Sequence, residues 1–492
     1  MAKPHPFFLL WCLAFFIGIS ANASSTFTSG ISRSYAETIK LRLGNGRNLI
    51  RAELQRDPQN AVALLVANYQ DFLTLCVQQN PKQFEQLVKA QENRLDRLTS
   101  LKERSAWVDY SIAEVRTHLA VSKLLLGNRL ASAWEFRQAY LQYEANARRY
   151  PSFLPNKKTL GAMQVLIGSV PDTYRWFLNI IGMRGSVPAG MANLKAATSN
   201  SNPFQQEAQV MYVLLQQLLD QQHDLDAQQQ VNKLVQESPD NLLYTFVAMY
   251  LHKKTKVSEQ ALQFYLKRPT GAQYLAFPYL HHMAADLYLY RGDYSRSIQE
   301  NKLFLETHKG EHYLKAAHYK LYLANWFGNN KQQASWHYRE INRVGSKVVE
   351  EDIYAARFVE QQTPLNNHLM LARLRSDGGY YKEALAGLNK MRITENTPLP
   401  EKAEYYYRKA RIYHGLHQVA EAKQHYEYTI RVCGSSDLYF APNAALQLGY
   451  LYQEEKNFTK AKVWYRKALN YKGHEYKNSI DHKAKLALSS LE

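Results

Sequence analysis

The sequence predicts an all-α chain: an α-solenoid of antiparallel helix pairs, with an apolar helical insert in its N-terminal half. Three observations carry this. Apolar residues recur at helical spacing from about Tyr35 almost to the C-terminus. A small residue opening the second helix of a pair recurs at Ser297, Ala334, Ala384, Ala422 and Ala461, with spacings of 37, 50, 38 and 39 residues. Self-similarity at such a period marks stacked supersecondary units. Between the periodic stretches stand turns such as Asp57-Pro58-Gln59-Asn60 and Ser238-Pro239-Asp240-Asn241. In them Pro stops one helix and Asn tolerates the turn.

The elements follow in chain order. At 492 residues the chain is longer than one compact core accommodates and suits a solenoid. Residues 1–23 read as a cleavable secretory signal: Lys3, an apolar run from Phe7 to Ile19, and Ala21-Asn22-Ala23 as the cleavage site. The run is short for a span of about 20 residues, so the expectation is export, to the periplasm or envelope of a Gram-negative bacterium. Residues 24–32 are Ser/Thr/Gly-rich and are expected to be a disordered leader. Residues 33–198 form an N-terminal helical region, with stretches at Ile39–Leu54, Ala61–Val77, Phe84–Leu98 and Ala106–Leu126, then a turn at Gly127-Asn128.

The insert, 159–194, carries only Asp172, Arg175 and Arg184 as charges and is punctuated by Gly and Pro. Its spacing predicts three short helices, Leu160–Ile167, Asp172–Ile181 and Val187–Ala197. Trp176, Phe177, Ile180 and Ile181 are its candidate apolar contacts. Residues 204–271 form helical pairs after a boundary at Ser199–Pro203, and 278–470 form the repeat array. An extra helix around Ser346–Thr363 accounts for the 50-residue spacing. Residues 471–492 supply a capping helix, Ile480–Leu491, with a solvent-facing side.

The best-formed unit runs from Ala445 to Leu469. Leu448-Gly449, Tyr452, Ala461, Tyr465 and Ala468 stand at the L-G-x2-Y…A-x3-F-x2-A spacing, and it resembles a tetratricopeptide (TPR) repeat, with Ala445 at the usual Trp position. The resemblance implies small residues where two helices cross, larger ones filling the space around them, and a concave groove that takes protein or peptide partners. The middle segment is similar to one in the inclusion-body-clearance family of TPR proteins, which are linked to outer mitochondrial membranes and lipid droplets. That similarity rests on Val170-Pro171, an apolar helix ending Ile181-Gly182-Met183-Arg184-Gly185, and Gly190 to Ala196. It covers some 40 residues and brings no catalytic residues with it.

The formal net charge is +18, of which Lys3 contributes one. Export and the dispersal of the basic residues along the helices argue against nucleic acid as the partner. An anionic membrane surface is the alternative that such a charge admits. Cys76 and Cys433 lie too far apart to make a disulfide framework and read as isolated buried thiols, although a bond between them stays open. His281 and His282 point to different faces of a helix. His414 and His417 share a face but lack a third ligand at metal spacing. No Walker loop, H-E-x-x-H, C-x-x-C or G-x-S-x-G occurs, and acidic runs such as Glu350-Glu351-Asp352 read as exposed helix ends. The expectation is therefore a non-enzymatic protein with no cofactor, no metal and no catalytic residue. Among the 35 tyrosines, consecutive ones cannot all face a core. Tyr405, Tyr406, Tyr407 and Tyr380 are the candidate groove residues, for a peptide or, alternatively, a glycan.

Overall fold

The computed structural model describes residues 27–170, 178, 180–199, 201–219, 224–362 and 364–491. The expected signal lies outside them, as do Trp176, Phe177 and most of the insert's middle helix. Among the described residues there are 24 helices and no strand. The N-terminal half holds α1 (Ser29–Ile39), α2 (Leu43–Arg56), α3 (Ala61–Gln78), α4 (Pro81–Thr99), α5 (Ala106–Leu125), α6 (Arg129–Arg149), α7 (Leu154–Gly168), α8 (Val187–Ser199), α9 (Gln205–Leu219) and α10 (Asp224–Glu237). There follow α11 (Leu242–Lys254), α12 (Ser258–Leu266), α13 (Tyr279–Arg291), α14 (Tyr294–Thr307), α15 (Leu314–Phe327), α16 (Lys331–Arg343) and α17 (Glu350–Glu360). The last are α18 (Asn367–Asp377), α19 (Tyr381–Leu388), α20 (Leu399–Gly415), α21 (Val419–Cys433), α22 (Phe440–Glu454), α23 (Phe458–Asn470) and α24 (Lys477–Ser489). The chain is an all-α, TPR-like solenoid, and α17 is the extra helix expected in the 50-residue spacing.

Local chemistry explains where the helices begin. Asn60 and Asn241, which end the two proline turns, cap α3 and α11: Asn60 Oδ1 accepts from the amides of Val62 and Ala63, and Asn241 Oδ1 from Tyr244. These asparagines keep negative φ angles, so they are there to satisfy helix N–H groups and not to tolerate a left-handed turn. The expected leader is partly helical. Thr28 caps α1 through Ile31, Ile31 is fully buried, and the Phe27 ring packs 5.7 Å from Trp107 and 5.8 Å from Phe204. Buried apolar area outweighs the disorder that Ser/Thr/Gly composition suggests.

The repeat register has its packing reason. Ser297, Ala334, Ala384, Ala422 and Ala461 are all fully buried. A side chain at Gly449 would run into the Tyr465 ring, and one at Gly415 into the Tyr381 ring. The first helix of each pair is buried on most faces, as in α15, where residues 315–325 are all buried. Its partner α16 buries only Ala334, His337 and Ile341. First helices therefore lie inside and second helices face solvent. Helix α3 is long and apolar enough to cross a membrane, but 78% of it is buried within the protein, as a core helix is.

The described residues of the insert include a tightly crossed helix pair, α7 and α8. A side-chain carbon at Gly190 would sit 2.5 Å from the Gly161 carbonyl oxygen and 2.8 Å from the Val165 amide nitrogen; one at Gly161 would sit 2.7 Å from the Gly190 oxygen. Gly168 and Gly185 meet in the same way. Four glycines thus let α7 and α8 touch backbone to backbone.

The solenoid also curls back on itself. The α18–α19 turn meets the α11–α12 turn, where Gly379 lies against the Lys256 carbonyl and Tyr380 donates to Glu259 at 2.6 Å. Gly378 lies against Tyr290 of α13. At the C-terminus Glu475 reaches Arg357 (3.6 Å) and Gln361 (3.2 Å) at the end of α17. The N-terminal helices close another side: the Leu275 amide donates to Leu41, and Lys40 and Arg42 both pair with Asp240 at 2.8 Å. The inner face is consequently enclosed by helices remote in sequence.

Candidate functional site: three charged clusters within the solenoid

Three charged clusters are built from first helices and from the N-terminal region. In the first, Lys158 on α7 is fully buried. Its ammonium lies 2.8 Å from Glu114 of α5, 2.7 Å from Glu207 of α9 and 2.9 Å from the Tyr69 hydroxyl of α3, with the Phe204 ring 4.9 Å away. Burial would raise the Glu114 carboxyl, but Lys158, His118 and the hydrogen bonds from Lys158 and Tyr143 overcome it and hold Glu114 down to about 2. Burial pushes the neighbouring His118 down to about 4. Every charge here has a partner, and the cluster ties four helices together.

The second cluster spans α11, α13, α15 and α17. Lys253 pairs with Asp286, and Lys320 lies 2.8 Å from Asp286, 2.9 Å from Glu351 and 2.6 Å from His282 Nε2. Two ammonium groups face two carboxylates. Of the acidic run at the start of α17, only Glu350 is an exposed helix end of the kind its sequence suggests. Glu351 serves this cluster, and Asp352 is fully buried and accepts from the amides of Tyr313 (2.6 Å) and Ala316 (2.9 Å), capping α15 from α17.

The third cluster is not balanced. Arg373 of α18, Arg408 and Arg411 of α20, Lys256 after α11, Lys254 of α11 and Lys483 of α24 are linked pair by pair: Arg408 acts on Arg373 and Lys256, Arg411 on Lys256 and Lys483, and Lys254 on Lys483. Their nearby carboxylates are Asp377, which Arg373 approaches at 3.8 Å, Glu404, which holds Arg408 at 2.9 Å, and Glu350. Among the described residues Arg411 hydrogen-bonds neutral groups, Gln447 at 2.5 Å and the Tyr426 hydroxyl, with Asp377 acting on it from further away. Lys256 stands over the Tyr381 ring at 5.8 Å. Burial and the charges of Arg411 and Arg408 push its ammonium down to about 7, against the pull of Asp377. Burial together with Lys254 and Arg411 lowers Lys483 too. Solvent still reaches the group, since Lys254 and Lys483 are exposed and Lys256, Arg373, Arg408 and Arg411 are partly so.

The candidate tyrosines are separated. Tyr405 packs into the core shared by α18, α19 and α20, and Tyr407 into the next, beside Tyr426 and Phe440. Tyr406 is half-buried and its ring stacks 5.7 Å from Tyr428 on the outer helix α21. Tyr380 is at the α18–α19 turn, bonded to Glu259. Of these, Tyr407 borders the cations, its ring under Arg408 at 5.7 Å, together with Tyr354, Tyr381, Tyr426 and Tyr439. In the insert, Ile180 is 73% exposed, while Ile181 is partly buried and its carbonyl accepts from Arg137 at 2.7 Å. Cys76 and Cys433 are both free thiols. His414 bonds Tyr426 at 3.2 Å, and His417 sits in the following turn with φ of 59°.

Sequence reasoning missed the six cations. Arg408 and Arg411 are three residues apart, as the cations on one face of a first helix would be. Nothing local connects them to Lys256 or Lys483.

No protein-family model matches the chain, and no curated protein matches its sequence. Similar solved structures include the human IFIT1 dimer with PPP-AAAA (12% identity over 91% of this chain and 96% of that one, TM-score 0.31). Others are the TPR domain of P58(IPK) (14%, 84% and 98%, 0.21) and the APC/C hetero-tetramer Cut9-Hcn1 (10%, 95% and 100%, 0.21). At these identities and scores the likenesses carry nothing about ligands, which must be argued from the site itself.

Proposed function

We propose that the protein is an exported, non-enzymatic scaffold that binds an extended segment of a partner protein along its enclosed inner face. The observation that carries this is the unbalanced cation cluster. It gathers charge from four helices remote in sequence, at a place solvent reaches, where packing requires no charge. The test is to pan a displayed library of random peptides against the mature protein and map bound peptides by hydrogen exchange. Protection of α18, α20 and α22 is expected. Protection confined to the outer helices α21 and α23 would reject the reading.

A second reading, a membrane-peripheral protein, is favoured by a different surface. The tip of the α5–α6 hairpin exposes Val121, Leu124, Leu126, Leu130 (87%) and Trp134 (59%). Arg129 is exposed beside them, and the adjacent Glu135 is already paired with Arg116 and Lys123. Exposed apolar side chains beside an exposed arginine suit an anionic lipid surface. The resemblance of the middle segment to membrane-linked TPR proteins points the same way. Flotation with anionic vesicles is expected to be lost in Leu130→Ser/Trp134→Ser. Flotation unchanged in that variant, or absent in the parent, would remove this reading.

A further inference from the structure

We infer that the cation cluster is a preformed cage for the clustered carboxylates of an acidic peptide segment. The inference rests on the scaffold reading and specifies the ligand at the same site. Six cations face three carboxylates, of which Glu404 is engaged with Arg408 and Asp377 is shared. Like charges held this close repel, so a ligand that supplies the missing negative charge is favoured over water and mobile ions. The cage is fixed by packing before any ligand arrives. Lys256 adopts φ of 63° in a turn against which Gly379 fits, and Arg411 is oriented by Gln447 and Tyr426. Arginine forks match carboxylates two bonds at a time.

Two features favour an acidic peptide over a nucleic acid. Phosphates spaced along a strand call for a long run of cations, whereas the adjoining inner cluster of Lys253, Lys320, Asp286 and Glu351 is already neutral and adds none. Bases need free aromatic faces, and here Arg373 covers Tyr354 at 4.5 Å and Lys256 stands over Tyr381.

Binding should also draw in a proton. Lys256 faces Arg411, Arg408 and His414 of α20, Tyr381 of α19, and only Asp377 of α18 as a counter-charge. A carboxylate placed among these groups restores the charged form of its ammonium.

The test uses the mature full-length protein with fluorescein-labelled hexaglutamate, hexaglutamine and an oligothymidylate, followed by anisotropy. Hexaglutamate is expected to bind and to weaken about tenfold or more when salt rises from about 50 to about 200 mM. Hexaglutamine should not bind, and the oligothymidylate should bind at least about tenfold more weakly. Lys483→Glu, on an exposed position of α24, and Arg411→Gln should each cost about tenfold or more. Lys460→Glu, exposed on the outer helix α23, should cost nothing. Calorimetry near pH 7.5 in two buffers should show proton uptake that Lys256→Gln abolishes. No binding of hexaglutamate, equal binding of hexaglutamine, tighter binding of the oligothymidylate, or equal losses in Lys460→Glu and Lys483→Glu would each overturn the cage. If panned neutral peptides still protect α18, α20 and α22 while hexaglutamate does not bind, the scaffold reading survives and the cage falls.

Discussion

Lys158 and Lys256 are both lysines surrounded by protein, held in opposite ways. Lys158 has two carboxylates and a phenol within 2.9 Å, and they raise its pKa despite burial. Lys256 has Arg411 and Arg408 against the single carboxylate Asp377, and burial with these cations brings it down to about 7. A buried charge that is fully paired costs the fold dearly only when a partner is removed. A charge held among like charges costs the fold while it is there. The first arrangement joins helices. The second is tolerated, and a ligand of opposite charge relieves it. Balance, more than burial, separates the structural cluster from the binding one.

The contrast can be broken or sharpened in four ways, taken from the largest expected effect downward. Acid should act first on the paired clusters and the cores around them. Burial pushes His118, His252, His308, His337, His414 and His425 down to about 4 from an ordinary 6.5. A group whose folded pKa is depressed contributes stability above its unfolded value and loses it as pH falls. The unfolding midpoint should therefore drop steeply between pH 6.5 and 4, followed by circular dichroism. A flat midpoint over that range would mean these imidazoles are not buried as described.

Next in size is Lys158→Met, which leaves Glu114 and Glu207 buried without their cation and should cost about 3–5 kcal/mol in denaturant unfolding. A cost below about 1 kcal/mol would show that the cluster is not structural. Lys320→Met should cost less, about 2 kcal/mol, because Glu351 keeps some solvent and Asp286 keeps Lys253. Lys256→Gln should have the smallest effect and the opposite sign. It removes a repelled charge, so stability at pH 7 should hold or rise. The parent should gain stability between pH 7 and 10.5, where its unfolded chain binds a proton that the folded one has released. The variant should lack that slope. A large loss in Lys256→Gln would erase the distinction between the two clusters.

Much of the architecture was legible in the chain. The recurrence of Ser297, Ala334, Ala384, Ala422 and Ala461 located the helix crossings, because close approach of two helices admits only small residues whatever surrounds them. Gly449 and Tyr465 met as the repeat pattern implies. Where the reading differed, a partner from elsewhere was the cause. The leader became helical because Phe27 and Ile31 found the N-terminal core. The glycines of the insert, which periodicity left unexplained, are the contact between α7 and α8. The run at Tyr405–Tyr407 is divided because adjacent residues on a helix face different neighbours, and two of the three found cores.

The sequence by itself determined the helix pairs, their register and the extra helix, since these follow from local spacing and from small residues at crossings. It could not locate the cation cage. Arg411, Lys256 and Lys483 lie in different helical units, and only the curl of the solenoid, closed by Gly379 against Lys256 and by Glu475 at α17, brings their charges together. Electrostatic energy depends on distance in space, and distance in space between remote repeats is a property of the closed tertiary structure alone.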